Sequence, residues 1–98
     1  MKQAEQPLFP LGKIVITRAA LSRLHPKDIL PAVFRHARGD WGECSSGDEE
    51  NEIALLFDRP VFSAFRDRNS LTFYVVTEGD RRTTTIMLPE DYHGPGAE

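Results

Sequence analysis

His36, Asp40 and Glu43 stand four and seven residues apart, a spacing that would align three metal ligands on one face of an unbroken helix. Gly39 and Gly42 interrupt the helix that this alignment needs, and the ligand count is short for a stable site. Cys44 follows at once, and a thiol could be activated by His36 or by the start of a helix. Its neighbours, however, are acids, which suppress thiolate, and the serines lack any nucleophile-elbow context. His36 is therefore expected to serve as a group near a helix C-terminus, and Cys44 as a structural residue. No catalytic residue, metal or cofactor is assigned.

A second charged group, Arg66, Glu78, Asp80, Arg81 and Arg82, falls around expected strand ends. Arg81 and Arg82, an adjacent basic pair, could grip a phosphate or a partner's carboxylate in bidentate fashion. Solvated turn charges are the structural alternative. Trp41, between two glycines, is expected to lay its ring across the junction of helices and sheet, with Asp40 capping or pairing with Arg38 or Arg35. The residues left as possible partner contacts are Arg38, Asp40, Trp41, Glu43, Glu78, Asp80, Arg81 and Arg82.

Totals bound what can position these groups. Ninety-eight residues, 40% hydrophobic and 28% charged, suit one domain with one core. The net charge of -3, and an acidic window from Asp40 to Glu52 without Lys or Arg, argue against nucleic acid and anionic membranes as partners. Cys44 is the only cysteine, so neither an intrachain disulfide nor a cysteine-based zinc site is expected, and a reducing cytoplasmic setting follows. No signal peptide or membrane span is visible.

Along the chain, residues 1–10 read as a loosely held tail, residues 11–92 as the domain and residues 93–98 as a second tail. Gly12–Thr17 is β-branched and extended. Thr17 caps a short helix over Arg18–Leu24, and His25-Pro26 ends it. Asp28 starts a helix over Ile29–Arg38, with Ile29, Leu30, Val33, Phe34 and Ala37 on its apolar stripe and Gly39 beyond its end. Ser46 and Glu49 match a capping box for an acidic helix running to about Phe57, expected to bury Ile53, Leu56 and Phe57. Val61–Arg66, Leu71–Glu78 and Arg82–Leu88 read as strands joined by tight turns.

The order β-α-α-α-β-β-β predicts an α+β fold with helices on one face of an antiparallel sheet, a C-terminal meander joined by the N-terminal strand. The other face would carry Thr83, Thr85 and Met87 with neighbouring aromatics, an uncomfortable surface for a monomer, so homodimerisation through the sheet is expected.

Phe9-Pro10-Leu11-Gly12, Arg38-Gly39-Asp40-Trp41-Gly42, Thr77-Glu78-Gly79-Asp80-Arg81 and Thr84–Tyr92 resemble a family of short bacterial proteins carried on plasmids and other mobile elements. Its members are often labelled plasmid-related proteins or, misleadingly, type I restriction subunits. The resemblance spans most of residues 9–92; Ser45–Asn51 departs from it, and Gly79 stands where the family usually has alanine. It implies a mobile-gene setting and transfers no catalytic residue. The resulting expectation is a non-enzymatic domain that binds another macromolecule, its protein partner unknown. One alternative is an acidic inhibitor of a host nucleic-acid-directed defence system. Another is a ribonuclease toxin of the RelE kind, whose β-α-α-β-β-β order is similar but whose charge is normally basic.

Overall fold

A computed structural model describes residues 7–44 and 47–92. Strand β1 (Lys13–Ile16) leads into helix α1 (Arg18–Arg23), a 3-10 turn (Pro26–Asp28) and helix α2 (Ile29–Ala37). Helix α3 (Gly47–Phe57) precedes strands β2 (Val61–Arg66), β3 (Thr72–Thr77) and β4 (Thr83–Met87), and a 3-10 turn (Pro89–Asp91) follows. The fold is α+β. Its four strands are ordered β1-β4-β3-β2.

The three C-terminal strands pair antiparallel in sequence order, but β1 lies parallel to β4. The sheet is thus mixed, which corrects the expected antiparallel one. The reason is directional: a three-stranded meander reverses twice, so β4 runs with β2. The helical crossover returns the chain to its starting end, so β2 also runs with β1.

Local chemistry sets the element boundaries. The Thr17 hydroxyl accepts from the Ala20 N–H at 3.2 Å, capping α1, and donates to Asp91 Oδ2 at 2.8 Å, tying the first helix to the C-terminal turn. Asp28 stands at the start of α2 but makes no side-chain cap. Its carboxylate instead receives the backbone and guanidinium of Arg68. Asp67 Oδ1 gathers the Asn69 and Leu71 N–H groups, and Oδ2 takes the His25 N–H, so one carboxylate shapes the β2–β3 hairpin and holds the helix–helix loop against it. The Ser46–Glu49 capping box lies outside the described residues.

One sheet face carries Phe65, Phe73, Val75 and Ile86, which pack with Ala20, Leu24 and Val33 of the first two helical segments. On α2 the buried positions are Ala32, Val33, His36 and Ala37, whereas Leu30 and Phe34 face solvent. The stripe is rotated toward smaller residues, which lets the helix backbone approach the sheet closely. A second cluster joins Phe9, Trp41, Ala54 and Val61. Phe9 thereby departs from the expected loose tail: it is buried, and the neighbouring Leu8 N–H bonds the Ala37 carbonyl at 2.8 Å.

Candidate functional site

The segment after α2 seals one edge of the sheet. Gly39, at φ +89°, terminates the helix in the left-handed region. Trp41 accepts from the Ala64 N–H at 3.1 Å and Glu43 donates to the Ala64 carbonyl at 2.7 Å, so residues 41–43 run along β2 as a single bridge. Gly42, at φ +69°, is required there, because a Cβ would collide with the Ala64 carbonyl oxygen. One step along, the Asn51 side chain of α3 donates to the Phe62 carbonyl at 2.7 Å and accepts its N–H at 3.0 Å. Backbone and amide together satisfy this edge and block further strand addition.

Inside the junction lies His36, fully buried. Its Nδ1 is 2.5 Å from Ser63 Oγ and its Nε2 is 2.9 Å from Thr77 Oγ1. Thr77 Oγ1 is 2.7 Å from Thr84 Oγ1, which donates to the Leu11 carbonyl at 2.7 Å. A carbonyl only accepts, and that fixes the bonds from Leu11 back to the ring. Thr84 must accept from Thr77, and Thr77 from His36 Nε2–H. Burial keeps the ring neutral, so Nδ1 accepts from Ser63 and the tautomer is Nε2–H. Burial first, and the nearby Arg81 cation second, lower its pKa to about 4. Phe9 meets the ring edge-on at 5.4 Å and Trp41 at 5.8 Å, completing a buried enclosure. His36 is a core crosslink rather than the helix-terminal group expected of it.

The Asp40 and Glu43 side chains turn elsewhere. Asp40 receives the Arg35 guanidinium at 2.7 Å and the Gly42 N–H at 3.1 Å, and these hold its carboxyl below the usual range. Glu43 receives Arg66 at 3.1 Å. Both ion pairs are exposed and contribute little stability. Among the described residues, no three His, Cys, Asp or Glu converge as metal ligands.

Two of the expected partner contacts serve the interior instead. Trp41 is buried against Phe9 and His36, the staple its flanking glycines suggest. Arg81 donates to the carbonyls of Arg59, Glu78 and Ala54 at 2.7, 3.0 and 3.0 Å. It thus supplies a cation to the C-terminal end of α3, whose own last turn has none. With these donors committed to carbonyls, Arg81 is a structural clamp rather than a phosphate grip. Arg38, Asp40, Glu43, Glu78, Asp80 and Arg82 are exposed. They are dispersed between the two loops rather than gathered into one pocket.

The surface that the sequence reading assigned to the core is α3. Its inward positions are Asn51, Ala54 and, in part, Leu55. Ile53, Leu56 and Phe57, expected inside, are 44%, 77% and 65% exposed. Their spacing does place them on one face, but that face points away from the sheet because the Asn51 amide orients the helix by binding the β2 edge. Beneath this face runs a groove of about 650 Å³, walled by Ile53 and Ala54 on the helix side and by Pro60, Phe62, Val76 and Tyr92 on the sheet side. Cys44, Glu50, Asn51 and Arg59 complete its lining. Tyr92 lies tilted at 5.2 Å from Phe62 and edge-on at 5.7 Å from Tyr74, so three aromatic rings cluster at one wall. A mostly apolar groove beside an exposed apolar helix face offers surface that an apolar ligand or partner can cover. No helix among the described residues is long and apolar enough to cross a membrane.

Comparison with protein-family models, curated proteins and solved structures returns no match for this chain.

Proposed function

We propose that the protein is a non-enzymatic interaction domain that docks another polypeptide on the outward face of α3 and in the groove beneath it. The observation that carries this reading is the exposure of Ile53, Leu56 and Phe57 side by side on one helix. Covering a Leu or Phe side chain is worth about 1.5–3 kcal/mol, so this face is a source of affinity as it stands. The groups best suited to chemistry favour the same reading: His36 is neutral and enclosed, and Arg81 is committed to backbone carbonyls. The mobile-gene setting implied by the sequence resemblance is compatible with a small binding protein.

The test is a pair of substitutions that leave the core untouched, Leu56→Asp with Phe57→Asp, assayed for retention of interacting proteins from a bacterial lysate. The variant is expected to keep the wild-type unfolding curve and to lose the retained species. Equal retention by both proteins would refute the assignment of this face.

Homodimerisation has a different observation in its favour. The β2 edge is sealed, whereas the outer edge of β1 has no paired strand among the described residues, and Ile14 and Val15 are exposed. Such an edge is a template for strand addition, and two copies pairing through β1 would extend one sheet into the other. Lys13 and Thr17 direct their N–H groups to β4, so Ile14 directs its own outward. Ile14→Pro is expected to convert a dimer to a monomer by light scattering; a monomeric wild-type protein at high concentration would end this reading.

A further inference from the structure

We infer that the segment docked on α3 is a basic amphipathic helix, with its Lys or Arg residues over the first two turns of α3 and its apolar residues over the last. This rests on the interaction reading above and adds the chemical class of the partner. The outward face of α3 is graded. Asp48, Glu49, Glu50 and Glu52 are exposed along its N-terminal half, and Ile53, Leu56 and Phe57 along its C-terminal half. None of these four acids forms a salt bridge among the described residues. A partner must therefore answer negative charge at one end and apolar surface at the other.

Two other occupants fail on that gradient. A second copy with α3 antiparallel to α3 sets each acidic half on the other's apolar half; a parallel arrangement sets acid on acid. Residues 93–98, which follow the groove-lining Tyr92, contain no large apolar side chain and no Lys or Arg. They can supply neither the apolar contacts nor the positive charge. Arg59 also lines the groove, but next to Pro60 at the far end, which sets the orientation: the basic end of the partner belongs over Glu49 and Glu52. An α-helical partner matches because the exposed triad repeats at i, i+3 and i+4, the ridge that packs against the apolar stripe of another helix.

Three synthetic helices sharing one leucine stripe, with lysine, glutamine or glutamate at the remaining positions, test this by titration into isotope-labelled full-length protein followed by NMR. The lysine peptide is expected to shift resonances of residues 49–57 and to bind at least tenfold more tightly than the glutamine peptide at low salt. High salt, or the combined Glu49→Gln, Glu50→Gln and Glu52→Gln variant, is expected to erase that advantage. Equal binding of the lysine and glutamine peptides would overturn the basic class while leaving the docking surface intact. Binding of none of the three, or wild-type binding by the Leu56→Asp, Phe57→Asp variant, would overturn the docking surface itself.

Discussion

Replacing His36 with glutamine keeps a donor for Thr77 and an acceptor for Ser63 but removes the titrating ring from the core. In the folded protein that ring ionises near 4, against an ordinary value of 6.5. The folded pKa is depressed, so as pH falls the unfolded chain takes up the proton first. His36 therefore contributes stability that is fully present above about pH 6.5 and is progressively lost down to about pH 4. The whole gap corresponds to about 3 kcal/mol, of which about 2.5 kcal/mol is gone at about pH 4.5. Against a total stability of about 5–15 kcal/mol for a domain, that loss is large. Urea unfolding followed by circular dichroism, from about pH 7.5 to about pH 4.5, reads it directly. Asp28 and Asp40, whose carboxyls are held low by Arg68 and Arg35, titrate alike in both proteins and cancel in the difference. The wild type should lose about 2.5 kcal/mol more than His36→Gln across this range. Parallel stability curves for the two proteins would show that the ring is not held neutral by burial, and the hydrogen-bond direction assigned between Ser63 and His36 would fall with it.

Trp41→Ala should destabilise by about 3–5 kcal/mol in the same assay, because the ring fills the space between Phe9 and His36; an unchanged midpoint would refute the staple. Arg81→Met strips three carbonyls of a donor and should cost about 1–3 kcal/mol, with faster hydrogen exchange confined to the end of α3 and the β3–β4 turn. The same variant removes the cation that opposes protonation of His36, so the acid-induced loss should be smaller and level off at a higher pH than in the wild type; a wild-type loss would count against the Arg81–His36 coupling.

The features legible in the sequence are those decided within a few residues. Thr17 caps α1, Asp28 and Gly39 bracket α2, and the last three strands fall where β-branched and aromatic residues alternate between turn residues. The pairing of β1 with β4 was hidden because it joins residues about seventy apart, and only the number of chain reversals decides its direction. On α3 the period was right and the face was wrong. Ile53, Leu56 and Phe57 satisfy a burial rule, but Asn51 anchors the helix through two hydrogen bonds to the edge of β2 and turns that stripe outward. An asparagine in line with Ala54 was the available signal. His36 carried no sign of its partners, since Ser63 and Thr77 lie on strands 27 and 41 residues away. Phe9, flanked closely by prolines, read as tail although it completes the Trp41 cluster.

The central claim is that the outward face of α3 is covered by a polypeptide in the working protein. Its most direct test is photo-cross-linking in lysate from a benzophenone side chain installed at Phe57, with the same group at the exposed Ser22 of α1 as a control. A discrete adduct from position 57, absent from position 22 and abolished by Leu56→Asp, is the expected result. Equal labelling from both positions, or none from position 57, would contradict the account.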